Sequence, residues 1–182
     1  GLSRPGMIHE FTHLLVDEAL KSPSASLPGW LNEGLAMYFE SDLSNENPSL
    51  HNALQIDGLL PLSSMGSVPG KPKDVHLFYT QSLSLVNYLI KGYGENQISN
   101  MIQSIGNGID VSRAFQETYG FSLEEFEANW VNYIREEYGL ADRNIFGGVK
   151  SSISLGVYSI AALALMTGAC LIAVLKKSTM NR

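Results

Sequence analysis

Cys170 is the only cysteine in the 182-residue chain, so no intrachain disulfide can staple it. Charge is scarce as well: 16% of residues are charged, where an ordinary soluble domain has roughly 25%. The basic residues are the scarcer sign, 12 Lys and Arg against 18 Asp and Glu, which leaves a net charge of −6. A nucleic-acid binder presents a basic face, and this balance argues against one. No useful stretch alternates apolar and polar residues as a half-buried strand does, and no period recurs along the chain. Nor is the composition that of a disordered or collagen-like polymer.

What the chain does have is apolar residues, 45% of the total, at a mean hydropathy of +0.01. Few charges with so neutral an average suggest a soluble part and a strongly apolar part averaged together. The length suits one domain plus a C-terminal appendage. From Ser151 to Leu175 there is no charged residue, and Lys176 and Lys177 end the run. A helix needs about 20 apolar residues to cross a hydrocarbon core of about 30 Å, so residues 151–175 are expected to be a single transmembrane helix. The basic tail, 176–182, favours the cytoplasmic side, which places the rest of the chain outside as a single-pass membrane protein. Lys150 and Arg143 on the other flank weaken that bias. Residues 141–150, with Gly147 and Gly148, are expected to be a linker. Gly156 and Gly168 are not spaced as a GxxxG pair, and no dimer is inferred. The chain opens Gly1-Leu2-Ser3-Arg4 without a signal peptide and reads as part of a longer protein.

Residues 1–140 show helical periodicity. Ile8, Phe11, Leu14 and Leu15 recur at helical spacing between about Gly6 and Lys21, and Ser22-Pro23 stops the run. A second helix is expected from near Pro28, and 41–49 and 63–74 are expected to be loops. Further helices are expected at 75–93, 95–105, 110–119 and 122–138. The last is opened by Ser122 with Glu125 three residues on, the signature of a capping box.

The chemistry is concentrated in the first of these helices. His9-Glu10-Phe11-Thr12-His13 is an H-E-x-x-H motif. Positions i and i+4 share a helix face, so both imidazoles can reach one metal, with Glu10 beside them to take a proton from water. By chance the pattern arises in roughly half a per cent of such chains, so it needs company. Trp30-Leu31-Asn32-Glu33-Gly34-Leu35-Ala36 supplies it: a catalytic zinc takes three protein ligands and one open position, and Glu33 can be the third if its helix packs antiparallel to the first.

These two motifs together resemble the gluzincin zinc metallopeptidases, and among them the aminopeptidase-N-like group. The resemblance covers about residues 5–138 and implies a mainly α fold, the helical catalytic half of such an enzyme. It implies one Zn²⁺ per chain held by His9, His13 and Glu33, with Glu10 as general base and a peptide or protein as substrate. Glu33 follows His13 by twenty residues, one more than in aminopeptidase-N-like enzymes and the spacing of the thermolysin-like ones. Tyr79, in Tyr79-Thr80-Gln81-Ser82, resembles the catalytic tyrosine of the family, aimed at the oxyanion; the alternative is that it packs in the core as Tyr88 and Tyr93 are expected to. Ala114-Phe115, Tyr119–Ser122 and Trp130 resemble the helical tail. In such enzymes a mostly β lobe precedes the motif helix, and the face it covers is expected to be exposed here.

Other residues carry less. Asp17, one turn beyond His13, is a candidate to orient an imidazole but more simply a solvated carboxylate. Asn32 can hydrogen-bond near the site or serve local backbone chemistry. His51 and His76 read as surface or loop residues, His76 with some prospect of touching substrate. Cys170 reads as a small hydrophobe in the span. The expected function is peptide-bond hydrolysis by a membrane-anchored zinc metallopeptidase. The alternatives are a catalytically silent, peptidase-like, membrane-tethered interaction module, or a helical domain whose motif is accidental.

Overall fold

The computed structural model describes residues 3–22, 25–40 and 48–140, and among these every regular element is a helix. The order is α1 (Arg4–Leu20), α2 (Gly29–Glu40), α3 (Pro48–Gln55), a 3₁₀ turn at Leu62–Ser64, α4 (Pro72–Tyr93), α5 (Glu95–Gly106), α6 (Val111–Tyr119) and α7 (Leu123–Glu137). No helix among the described residues is long and apolar enough to cross a membrane. The expected linker, span and tail, including Cys170, lie outside the described residues.

Local chemistry explains the boundaries. The Ser3 hydroxyl accepts from the Gly6 amide to open α1, and Lys21 closes it in the left-handed conformation at φ 53°. Pro28 precedes α2 and its carbonyl accepts from the amides of Leu31 and Asn32. The capping box at α7 forms in both directions: the Glu125 amide donates to the Ser122 hydroxyl, and the Ser122 amide to the Glu125 carboxylate.

The loops expected at 41–49 and 63–74 need correction at their ends: the 3₁₀ turn takes in Ser63 and Ser64, α4 starts at Pro72, and α3 starts at Pro48. Pro pre-sets the first helical turn, and Leu50, Ala53 and Leu54, at i, i+3 and i+4, give the short helix a buried face. With it, His51 lies on a helix rather than a loop, its ring stacked at 5.3 Å and 10° on that of Tyr138. In α1 the helically spaced Phe11, Leu14 and Leu15 form, with Met7, an exposed stripe, each more than half exposed. The packed side is Thr12, Val16 and Leu20. The helix is apolar around most of its circumference, so periodicity could not say which side is packed.

The core is built from large side chains contributed by every helix. Trp30, Phe78, Phe115, Phe126 and Trp130 are almost fully buried. Burying a ring of that size removes much apolar surface from water, provided polar atoms find partners; the Trp130 indole N–H donates to the Ser84 hydroxyl at 3.1 Å. Gln81, buried in α4, donates to the Leu60 carbonyl and accepts from the Leu60 amide, fixing the segment before the 3₁₀ turn. Glu127 of α7 accepts from the Leu62 amide at 2.8 Å and fixes its other end.

For the site, the α2–α4 crossing matters most. A Cβ on Gly34 would lie 2.5 Å from the Ser82 carbonyl oxygen and 2.6 Å from Val86 Cγ2, so the two backbones meet where only glycine fits. At the far end of α1, a Cβ on Gly106 would lie 2.6 Å from the Leu20 carbonyl oxygen, which seats α1 on α5.

Candidate metal centre

His9 and His13 are one turn apart on α1, and their rings meet edge to face with centroids 4.9 Å apart. Helix α2 runs antiparallel beside them: His9 meets Glu40 near its end, and His13 meets Asn32 near its start. That direction puts Glu33 opposite both imidazoles. Glu33 Oε2 lies 3.5 Å from His9 Nε2 and 3.9 Å from His13 Nε2. One donor atom from each residue can be chosen so that all three lie within 4.8 Å of one another.

These donors fit a zinc ion. Two imidazoles and a carboxylate are a known catalytic zinc set, and ligands about 2.0–2.1 Å from a tetrahedral ion lie about 3.4 Å apart. The observed separations to Glu33 exceed that by a few tenths of an ångström. The imidazoles are also presented the right way round. His9 Nδ1 lies 2.9 Å from Glu40 Oε2, and His13 Nδ1 lies 3.2 Å from Asn32 Oδ1. Both partners are acceptors, so in the neutral imidazoles each Nδ1 carries the proton and donates, leaving the Nε2 lone pair for a metal. The three side chains are about one-fifth exposed, at 19%, 22% and 18% for His9, His13 and Glu33. All three are thus reachable from solvent.

Glu10 projects from α1 beside His9 and is exposed. Tyr79, half-buried on α4, feels Glu33: burial first, and then the Glu33 charge, push its hydroxyl pKa up. The phenol therefore stays a hydrogen-bond donor at neutral pH. His76 sits one turn before it on α4 and is exposed. Asp17 is exposed, and the atom of His13 that it was a candidate to orient is engaged by Asn32 instead. Sequence reasoning missed Glu40. A signal was present, since Glu40 follows Glu33 by seven residues, two helical turns, and so shares its face.

No curated protein and no solved structure is significantly similar to the chain. The family model described as the Peptidase MA superfamily matches residues 2–136. That length takes in the helix pair that carries the two imidazoles and the carboxylate, together with all but the last residue of the helices packed behind them, and on this match the chain belongs to the Peptidase MA superfamily.

Proposed function

We propose that the chain is the catalytic helical part of a zinc metallopeptidase that hydrolyses peptide bonds. One observation carries the reading: three donor atoms of zinc-ligand type converge within 4.8 Å, with both imidazoles hydrogen-bonded from behind. His9, His13 and Glu33 would hold the zinc, which when bound polarises the scissile carbonyl and acidifies a water. Glu10 takes the proton of the attacking water and delivers it to the leaving amine, the two halves of general base and general acid work. Tyr79 donates its hydroxyl to the oxygen on which negative charge develops, a contribution on the order of 3 kcal/mol for a donor of this kind.

The test combines metal analysis with turnover of a peptide library by the purified protein. About one zinc per chain is expected, lost in His9→Ala and in Glu33→Ala. Glu10→Gln should keep the metal and lose turnover by about 10²–10⁴-fold. Zinc bound normally without turnover that depends on Glu10 would leave the silent interaction module instead. A folded chain that takes up no zinc would sink both the cofactor and the mechanism.

The uncharged run 151–175, with its basic end, supports a proposed single membrane span, the catalytic helices extracytoplasmic and the tail 176–182 cytoplasmic. In sealed vesicles with the extracytoplasmic face outward, added protease should reach the helices and spare the tail. Digestion of the tail with protection of the helices inverts this topology.

A further inference from the structure

Lys73, His76, Tyr79 and Ser82 recur every third residue along α4, so they follow one another in a row over the helix surface. Burial rises along the row: Lys73 and His76 are exposed, Tyr79 is half-buried and Ser82 is fully buried. The buried end is fixed to α2, because the Ser82 carbonyl oxygen is an atom that a Cβ on Gly34 would strike. Glu33 directly precedes Gly34. The row therefore leads from the outer edge of α4 to the carboxylate of the candidate centre, and Tyr79 lies in the field of Glu33 on the way.

The outer end of the row is basic, in a chain whose net charge is −6. Lys71, at the N-cap of α4, is exposed as well. Among the described residues neither Lys71 nor Lys73 forms an ion pair, whereas Lys91, Arg113 and Arg135 engage Tyr133, Glu117 and Asp57. Positive charge opposes the helix dipole at this end, so helix stability does not account for the two lysines. Asp74, the acid of that turn, is two residues from His76 and so faces the other side of the helix. On α1 and α2 the centre presents Glu10 and Glu33, which repel a substrate carboxylate. The α4 side is where one is favoured.

We propose that Lys71, Lys73 and His76 form a subsite for a carboxylate of the peptide substrate, so that the site selects acidic peptides. The inference rests on the peptidase reading of the centre. The ammonium groups pair with the carboxylate as point charges, and the imidazole donates an N–H to it. Successive members of the row are about 4.5 Å apart along the helix axis, and an extended peptide advances about 3.3 Å per residue. His76 therefore meets a group about one or two residues from the scissile bond, and Lys73 one about three residues away. The carboxylate is an Asp or Glu side chain or the C-terminus of the peptide, and the chemistry that recognises it is the same.

The experiment measures kcat/KM of the purified full chain on matched peptides that carry Glu or Gln at each position near the scissile bond. Each peptide is made as the free acid and as the C-terminal amide. Glu is expected to be favoured about 10-fold on one side of the bond only, as two or three exposed charge pairs would give, and the preference should shrink in high salt. The double substitution Lys71→Gln with Lys73→Gln should abolish the preference, and His76→Gln should weaken it. Lys71→Glu with Lys73→Glu should invert it, so that a Lys peptide is cleaved better than the Glu peptide. A preference that survives amidation assigns the subsite to an acidic side chain, and one that amidation removes, with the free acid favoured over the amide, assigns it to the C-terminal carboxylate. A parent that cleaves Glu and Gln peptides, acids and amides, all alike overturns this inference and leaves the peptidase reading standing. So does a preference that the charge-reversed variant keeps while melting as the parent does. A parent that cleaves none of the peptides overturns the peptidase reading and this inference with it.

Discussion

Tyr79 tests how much of the site is chemistry and how much is packing. Its half-buried ring touches Phe78 edge to face at 5.6 Å, and its hydroxyl lies in the field of Glu33. Tyr79→Phe keeps the ring and removes only the donor. Turnover of a peptide substrate is expected to fall about 10²-fold in kcat with KM nearly unchanged, and an unchanged kcat would return Tyr79 to the core. The legibility of the site divides at this scale along physical lines. His9 and His13 could be placed together because i, i+4 spacing fixes a shared face without any tertiary knowledge. Glu33 could be read from its motif, and its antiparallel helix is the arrangement observed. Glu40 carried only the hint of its seven-residue spacing from Glu33, because its use depends on how far α2 extends past His9, which the helix crossing determines. Asp17 illustrates the converse: its spacing from His13 is right, yet a neighbouring helix offers the nearer acceptor.

Among the elements, α2 and α4 are joined most closely, and their crossing at Gly34 makes a sharp prediction. Gly34→Ala would drive a methyl group into the Ser82 backbone and Val86, both already in place. Overpacking of this kind costs about 1–3 kcal/mol, and a lowered melting temperature should report it. An unchanged melting temperature would mean that α4 can retreat freely. Gly34 is buried in a helix whose other buried residues are apolar, so its role is invisible to hydropathy: a glycine has no side chain to place on either face. Helix α3 escaped the sequence reading because eight residues are too few for a clear period. The boundaries of α5, α6 and α7 were legible from caps and turns: Gly94, Asp110, Gly120 and the Ser122–Glu125 pair announce themselves in sequence. The stripe of Met7, Phe11, Leu14 and Leu15 was legible as apolar but not as exposed, since exposure belongs to the partner a helix face has and not to the helix.

At the scale of the whole molecule, five tyrosines, Tyr38, Tyr79, Tyr88, Tyr93 and Tyr119, are shifted in one direction, upward, with burial the leading cause for each. Tyr119 is pushed furthest, and among the described residues its shielded hydroxyl has no hydrogen-bond partner. A raised pKa in the folded state means that the fold favours the neutral phenol. That stability is fully present below the unfolded value of about 10 and is lost as pH rises beyond it. Urea unfolding should therefore show stability falling above about pH 10, and Tyr119→Phe should flatten the fall. At neutral pH the variant should be at least as stable as the parent, because it removes an unpaired buried hydroxyl. Parallel pH profiles for the two proteins would remove Tyr119 from the account. The Gly34 contact has a consequence at this scale too. Asn32, Glu33 and Gly34 are consecutive, so one short stretch of α2 braces His13, offers a carboxylate to the centre and seats the helix on α4. A swing of this stretch away from α1 would also pull Gly34 out of its seat on α4 and open the core. Loss of the His9–His13–Glu33 arrangement on heating should then coincide with global melting in a single cooperative transition, rather than precede it as a local opening.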